Sequence, residues 1–82
     1  MKLKARNAAK GDVQMNPSNL MSILDFKKLY ITTLKDNGEG LTADKLRMFA
    51  MGKELKDDLF LYSYDILDES TVQVMIKKEW LG

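Results

Sequence analysis

The side chains that most often do chemistry are missing from this sequence, which has no histidine and no cysteine. That removes the commonest general base and the thiol nucleophile, along with disulfides and sulfur-ligated metals. Carboxylates, hydroxyls and lysines remain. Asp57 and Asp58 are adjacent, a pair that could in principle share acid and base work or hold a hard cation. Neighbouring carboxylates in a loop are ordinarily solvated, however, and a metal needs several more oxygens converging on it. Ser18, Ser22 and Ser70 read as turn and cap residues. The expectation is no catalytic residue, no cofactor and no metal. Recognition by a surface is the function left open.

Charge narrows what that surface meets. The 13 Lys and Arg residues are interspersed with 12 Asp and Glu, for a net charge of +1. Nucleic-acid binders concentrate their basic residues, so nucleic acid is not an expected partner. The apolar runs are far shorter than a membrane span, and the N-terminal residues alternate instead of forming a secretory apolar block. With 45% hydrophobic and 30% charged residues, the 82-residue chain reads as one globular domain. The lack of cysteine fits an intracellular setting, cytoplasmic or nuclear.

The surface has to be positioned by elements that periodicity reveals. Met1, Leu3 and Ala5 alternate with Lys2, Lys4 and Arg6, and Val13 and Met15 alternate with Asp12, Gln14 and Asn16. Two such runs joined by a turn from Asn7 to Gly11 predict a β-hairpin, which Pro17 ends because it has no N–H for a ladder. The period then lengthens. Ser22 and Asp25 have capping-box spacing, and Ile23, Phe26, Tyr30 and Leu34 form one helical stripe, ended by the glycines of Asp36 to Gly40. Leu46, Met48 and Ala50 predict an inward-facing third strand, stopped by Gly52. Leu55 follows in a short segment, Leu59 to Tyr64 shows no clear period, and Val72, Val74 and Ile76 form the inward side of the last strand. Hairpin, helix and further strands make an α+β order, with one helix across a small mixed sheet.

From Gly40 to Lys78 the wording is more specific. Ala43-Asp44-Lys45-Leu46-Arg47, then Gly52-Lys53-Glu54-Leu55-Lys56-Asp57, then Leu61, Tyr64, Ile66 and Glu69-Ser70-Thr71 resemble the ubiquitin-like family, without a gap. Residues 1–78 are identified on that basis as a ubiquitin-like domain, expected to be a module of a larger protein, and 79–82 as a C-terminal tail or the boundary of the piece. The resemblance implies a ubiquitin-like β-grasp fold, with a mixed sheet of four to five strands. It also implies an ion pair between Lys27 and Asp57. Between Tyr30 and Gly40 the chain is a few residues longer than ubiquitin.

Alternation turns Arg47 and Phe49 outward on the third strand and Gln73, Met75 and Lys77 outward on the last. The resemblance makes these strands neighbours, so Phe49 and Met75 are expected side by side, fringed by Arg47, Gln73 and Lys77, with Gly52 and Lys53 at the rim. An apolar centre with a positive border is the usual form of a protein-binding patch. Single exposed apolar residues are otherwise unremarkable, so it is their adjacency that carries the expectation. Ala8 stands where the family places a leucine on this face. The partners implied are proteins with ubiquitin-binding or ubiquitin-like-binding elements, proteasomal receptors among them, met by a monomeric domain. Trp80 and Leu81 before a single Gly82 differ from the Gly-Gly end of conjugated relatives, so conjugation is not expected. The alternatives are a modifier or sulfur carrier released by processing, and a β-grasp scaffold unrelated to ubiquitin biology. Leu20, Leu24, Leu59 and Phe60 form a candidate second apolar surface, by local packing or by contact with a partner.

Overall fold

The computed structural model describes residues 2–7, 11–34, 41–64, 66 and 68–76. Five strands, β1 (Leu3–Asn7), β2 (Gly11–Met15), β3 (Leu46–Ala50), β4 (Lys53–Glu54) and β5 (Ser70–Ile76), form one mixed sheet in the order β2-β1-β5-β3-β4. The pair β1–β5 is parallel and the others are antiparallel. One helix, α1 (Ile23–Thr33), packs across the sheet, giving the ubiquitin-like β-grasp arrangement.

Period-two alternation decides which face is buried. Leu3 and Ala5 on β1, Leu46, Met48 and Ala50 on β3, and Val72 and Val74 on β5 all point into the core. Ile23, Phe26, Tyr30 and Leu34 meet them from the helix side, and Leu55, Leu61 and Ile66 close the ends. Ser22 caps the helix by accepting from the Asp25 N–H at 3.1 Å. The return half of the expected capping box is not made among the described residues, since Asp25 is one methylene shorter than the usual glutamate. The helix stops at Thr33, with Leu34 extended at ψ 147°. The stop expected over Asp36 to Gly40 lies outside the described residues.

The first hairpin differs from its expected layout. Asn7 is a strand residue paired with Gly11, so both expected turn ends belong to the ladder. The Asn7 side chain is buried and donates to the Val74 carbonyl at 2.9 Å, so a polar residue at an inward position is satisfied by the backbone of β5. Gly11 takes φ +79°, as the turn reading requires.

Candidate protein-binding face

The outer face of the sheet is built by residues that alternate with the core positions. In the register of β3 and β5, Phe49 lies opposite Gln73 and Arg47 opposite Met75. Phe49 and Met75 are therefore diagonal neighbours and not directly side by side. Such a diagonal separates Cβ atoms by about 7 Å, within reach of long side chains. Met75 is 51% exposed, and Gln73 is exposed beside it. Phe49 is half-buried, where the sequence reading expects it exposed. The cause is Arg47, whose guanidinium carbon sits 5.2 Å from the ring centroid.

Arg47 is itself held in place. Its Nε and one terminal nitrogen donate to the two carboxylate oxygens of Glu54, at 3.1 and 3.3 Å. The β3–β4 hairpin makes this possible, because Phe49 is the cross-strand partner of Glu54 and Arg47 is two residues away on the same face. The hydrogen bond from Arg47 is the main influence holding the Glu54 carboxyl below the usual carboxylate range, and Glu54 in turn raises Arg47. The border expected to be positive at Arg47 is thus locally neutralised. Arg6 on β1 is likewise paired, with Asp12 at 3.3 Å. Lys77 lies outside the described residues, as does Ala8.

The turn between β3 and β4 holds an exposed apolar residue that the expected set of binding residues leaves out. Met51 and Gly52 have φ of +53° and +79°, a two-residue turn with both residues left-handed. A non-glycine residue costs roughly 1 kcal/mol in that conformation. The Met51 side chain is 67% exposed, and Gly52 and Lys53 are exposed beside it at the rim. Continuing the alternation of Arg47 and Phe49 by one step was the signal available for Met51. Nothing in the sequence reading foreshadowed Glu54, whose role depends on hairpin register.

The expected ion pair between Lys27 and Asp57 is present, with Nζ 2.5 Å from Oδ1. Asp57 is thus engaged by a buried lysine, and the described residues include no group of three or more His, Cys, Asp or Glu placed to hold a metal. No described helix is long and apolar enough to cross a membrane.

The four residues of the second apolar surface come from two segments that do meet. Ile23 N–H donates to the Leu59 carbonyl at 2.8 Å, while Leu61 and Tyr62 N–H donate to Met21 and Asn19 carbonyls at 3.0 Å. This short ladder turns Leu61 inward and leaves Phe60 partly exposed, with its ring stacked on Tyr62 at 5.3 Å. Leu24 is half-buried and Leu59 partly exposed, whereas Leu20 stands out at 70% exposure. Tyr62 was missed; its spacing of two from Phe60 was the available clue.

The model of the Ubiquitin family matches residues 3–79 of the chain. No curated protein matches it.

Proposed function

The chain belongs to the ubiquitin family, and from that premise we propose that it is a non-catalytic recognition domain of the ubiquitin–proteasome system, working in the cytoplasm or nucleus. It binds partner proteins through the outer face of its sheet, as a monomer. Phe49 and Met75 are the apolar anchors, Arg47 and Gln73 flank them, Gly52 and Lys53 form the rim, and Lys77 is assigned to the face by strand alternation in the sequence alone. The partners are proteins with ubiquitin-binding helices, such as proteasomal receptors, and neither nucleic acid nor membrane is involved.

One observation carries this reading: large apolar side chains stand outward on paired strands whose inward positions already supply the core. Burial cannot account for Met75 at 51% exposure, and a methionine is an adaptable contact for a partner's apolar side chains. Backbone placement on central strands fixes these groups without the ordering cost a loop would carry. Chemical-shift mapping with a ubiquitin-interacting helix of a proteasomal receptor tests the reading. Shifts are expected on β3, β5 and the β3–β4 turn. Shifts confined to α1 or to residues 59–64 would remove it.

A further inference from the structure

We propose that the stacked rings of Phe60 and Tyr62, flanked by the carboxylates of Asp25 and Asp58, form a second recognition site. It takes a short basic segment of another protein, with an arginine side chain lying against the aromatic pair. The site is built on the segment joined to the start of α1, not on β3 or β5, and it stands independently of the sheet face.

The backbone of this segment is fixed without help from the rings. Ser22 and Phe60 form an antiparallel bridge, and the N–H groups of Leu61 and Tyr62 donate to the carbonyls of Met21 and Asn19 at 3.0 Å. Phe60 N–H donates to Ser63 Oγ at 3.2 Å, and Ser63 N–H donates back to the Phe60 carbonyl at 2.9 Å. Leu61, fully buried, supplies the segment's share of the core. Phe60 and Tyr62 are left 38% and 54% exposed, stacked at 5.3 Å with 9° between their planes. Rings held in this way meet a partner with little further ordering cost.

Charge and area together name the partner. Asp58 lies two residues before Phe60, and Asp25 three residues after Ser22, the bridge partner of Phe60. Both are exposed, and neither carboxylate makes an ion pair or a hydrogen bond among the described residues. Asp12, Glu54 and Asp57 differ in this respect, since Arg6, Arg47 and Lys27 already engage them. On the sheet, Phe49 carries the chain's own Arg47, whereas no described cation sits on Phe60 or Tyr62. Aromatic rings bordered by two unpaired carboxylates are complementary to arginine, whose planar guanidinium stacks on rings while its donors pair with carboxylates. Area speaks against a second copy of the chain as the occupant. At about 150–250 Å² for a whole aromatic side chain, the exposed parts of the two rings offer roughly 200 Å². A standard interface takes about 800 Å² from each partner. A segment of a few residues fits that area.

The experiment titrates the isotope-labelled full chain with a short synthetic peptide of alternating arginine and serine, and with its lysine and glutamate counterparts, followed by chemical shifts. The arginine peptide is expected to move the signals of residues 58–63 and 19–25, the lysine peptide to bind several-fold more weakly, and the glutamate peptide to do nothing. Tyr62→Ser should weaken the arginine peptide about tenfold, and Tyr62→Phe should leave it unchanged, because the ring and not the hydroxyl makes the contact. Asp58→Asn should weaken it about threefold, as loss of an exposed pair does. All three variants are melted beside wild type and sedimented at several concentrations. Absence of shifts with the arginine peptide overturns the inference, as do shifts confined to β3 and β5, or equal affinity for the arginine and lysine peptides. Unchanged affinity in Tyr62→Ser overturns it as well. A fall of more than about 5 °C in the melting temperature of Tyr62→Ser overturns it, because the rings would then be supporting the fold. So does a dimer of the wild-type chain that Tyr62→Ser abolishes, since a second copy would then be the occupant.

Discussion

Removing the carboxylate of Asp57 should destabilise the domain far more than an ordinary surface substitution. The Lys27 side chain is 6% exposed and its ammonium is 2.5 Å from the Asp57 carboxylate, which is itself 46% exposed. In Asp57→Ala the ammonium keeps its buried position and loses its acceptor. Orphaning one member of a fully buried pair costs about 3–5 kcal/mol. Here water can enter through the half-exposed place that Asp57 leaves, so a value of roughly 2 kcal/mol is expected. For a domain of this size that is a fall of about 10 °C in melting temperature. Lys27→Met removes the charge and keeps most of the buried stem, so it should cost less than about 1 kcal/mol. In the Lys27→Met background, Asp57→Ala should then cost almost nothing. Thermal and urea unfolding followed by circular dichroism measure all four proteins. An Asp57→Ala chain as stable as wild type would mean that the ammonium is already solvated, and the buried-pair reasoning would be refuted.

Three further outcomes follow from the same geometry. Phe49→Ala should weaken partner binding by about 2 kcal/mol by calorimetry. It should also cost about 1 kcal/mol of stability, because the ring is half-buried beneath Arg47; an unchanged affinity would exclude Phe49 as an anchor. Glu54 has its carboxyl lowered in the folded chain, so its contribution is present above the usual carboxylate range and is lost as pH falls through the lowered value. Arg47 should therefore stay clamped throughout the neutral range, and Glu54→Gln should make partner binding more salt-dependent at pH 7, a change that titrations at two ionic strengths would detect. Leu24→Glu should lower the melting temperature because Leu24 is half-buried, while Phe60→Glu separates two roles for the ring stacked on Tyr62. Stability lost in Phe60→Glu marks internal support; stability kept while an intermolecular contact disappears marks a second binding surface.

What the sequence disclosed depended on whether a signal was local. Alternation in Leu46–Ala50 and Val72–Ile76 identified both the strands and their outward sides, because a strand's period is visible within five residues. The helix stripe from Ile23 to Tyr30 was equally legible. The pairing of Lys27 with Asp57 was not legible in this way and came from resemblance, since the two residues are 30 apart in the chain. Register was hidden as well. Whether Phe49 faces Met75 or Gln73 depends on a two-residue choice of register, which keeps every side chain on its own face and which neither strand encodes alone. The register of the β3–β4 hairpin, hidden in the same way, concealed Glu54 and with it the covering of Phe49. Residues 59–64 resisted periodicity because their order is imposed from outside, by carbonyls of Asn19 and Met21 that accept from Tyr62 and Leu61.

The two sides of β3 and β5 divide the work of the domain between them. Inward, Met48 and Val74 pair across the strands and are essentially inaccessible, so the positions of both strands are fixed by packing. Outward, the neighbouring pairs Arg47–Met75 and Phe49–Gln73 ride on that fixed backbone. Side chains on this face can therefore change without repacking the core, provided that they keep the strand conformation. Met51 is where that freedom ends, since its turn constrains the backbone while its side chain is 67% exposed. The conformation of that turn favours asparagine or glycine there. The left-handed turn at Met51 and Gly52, and not the strands alone, therefore limits which side chains the β3–β4 end of this face can carry.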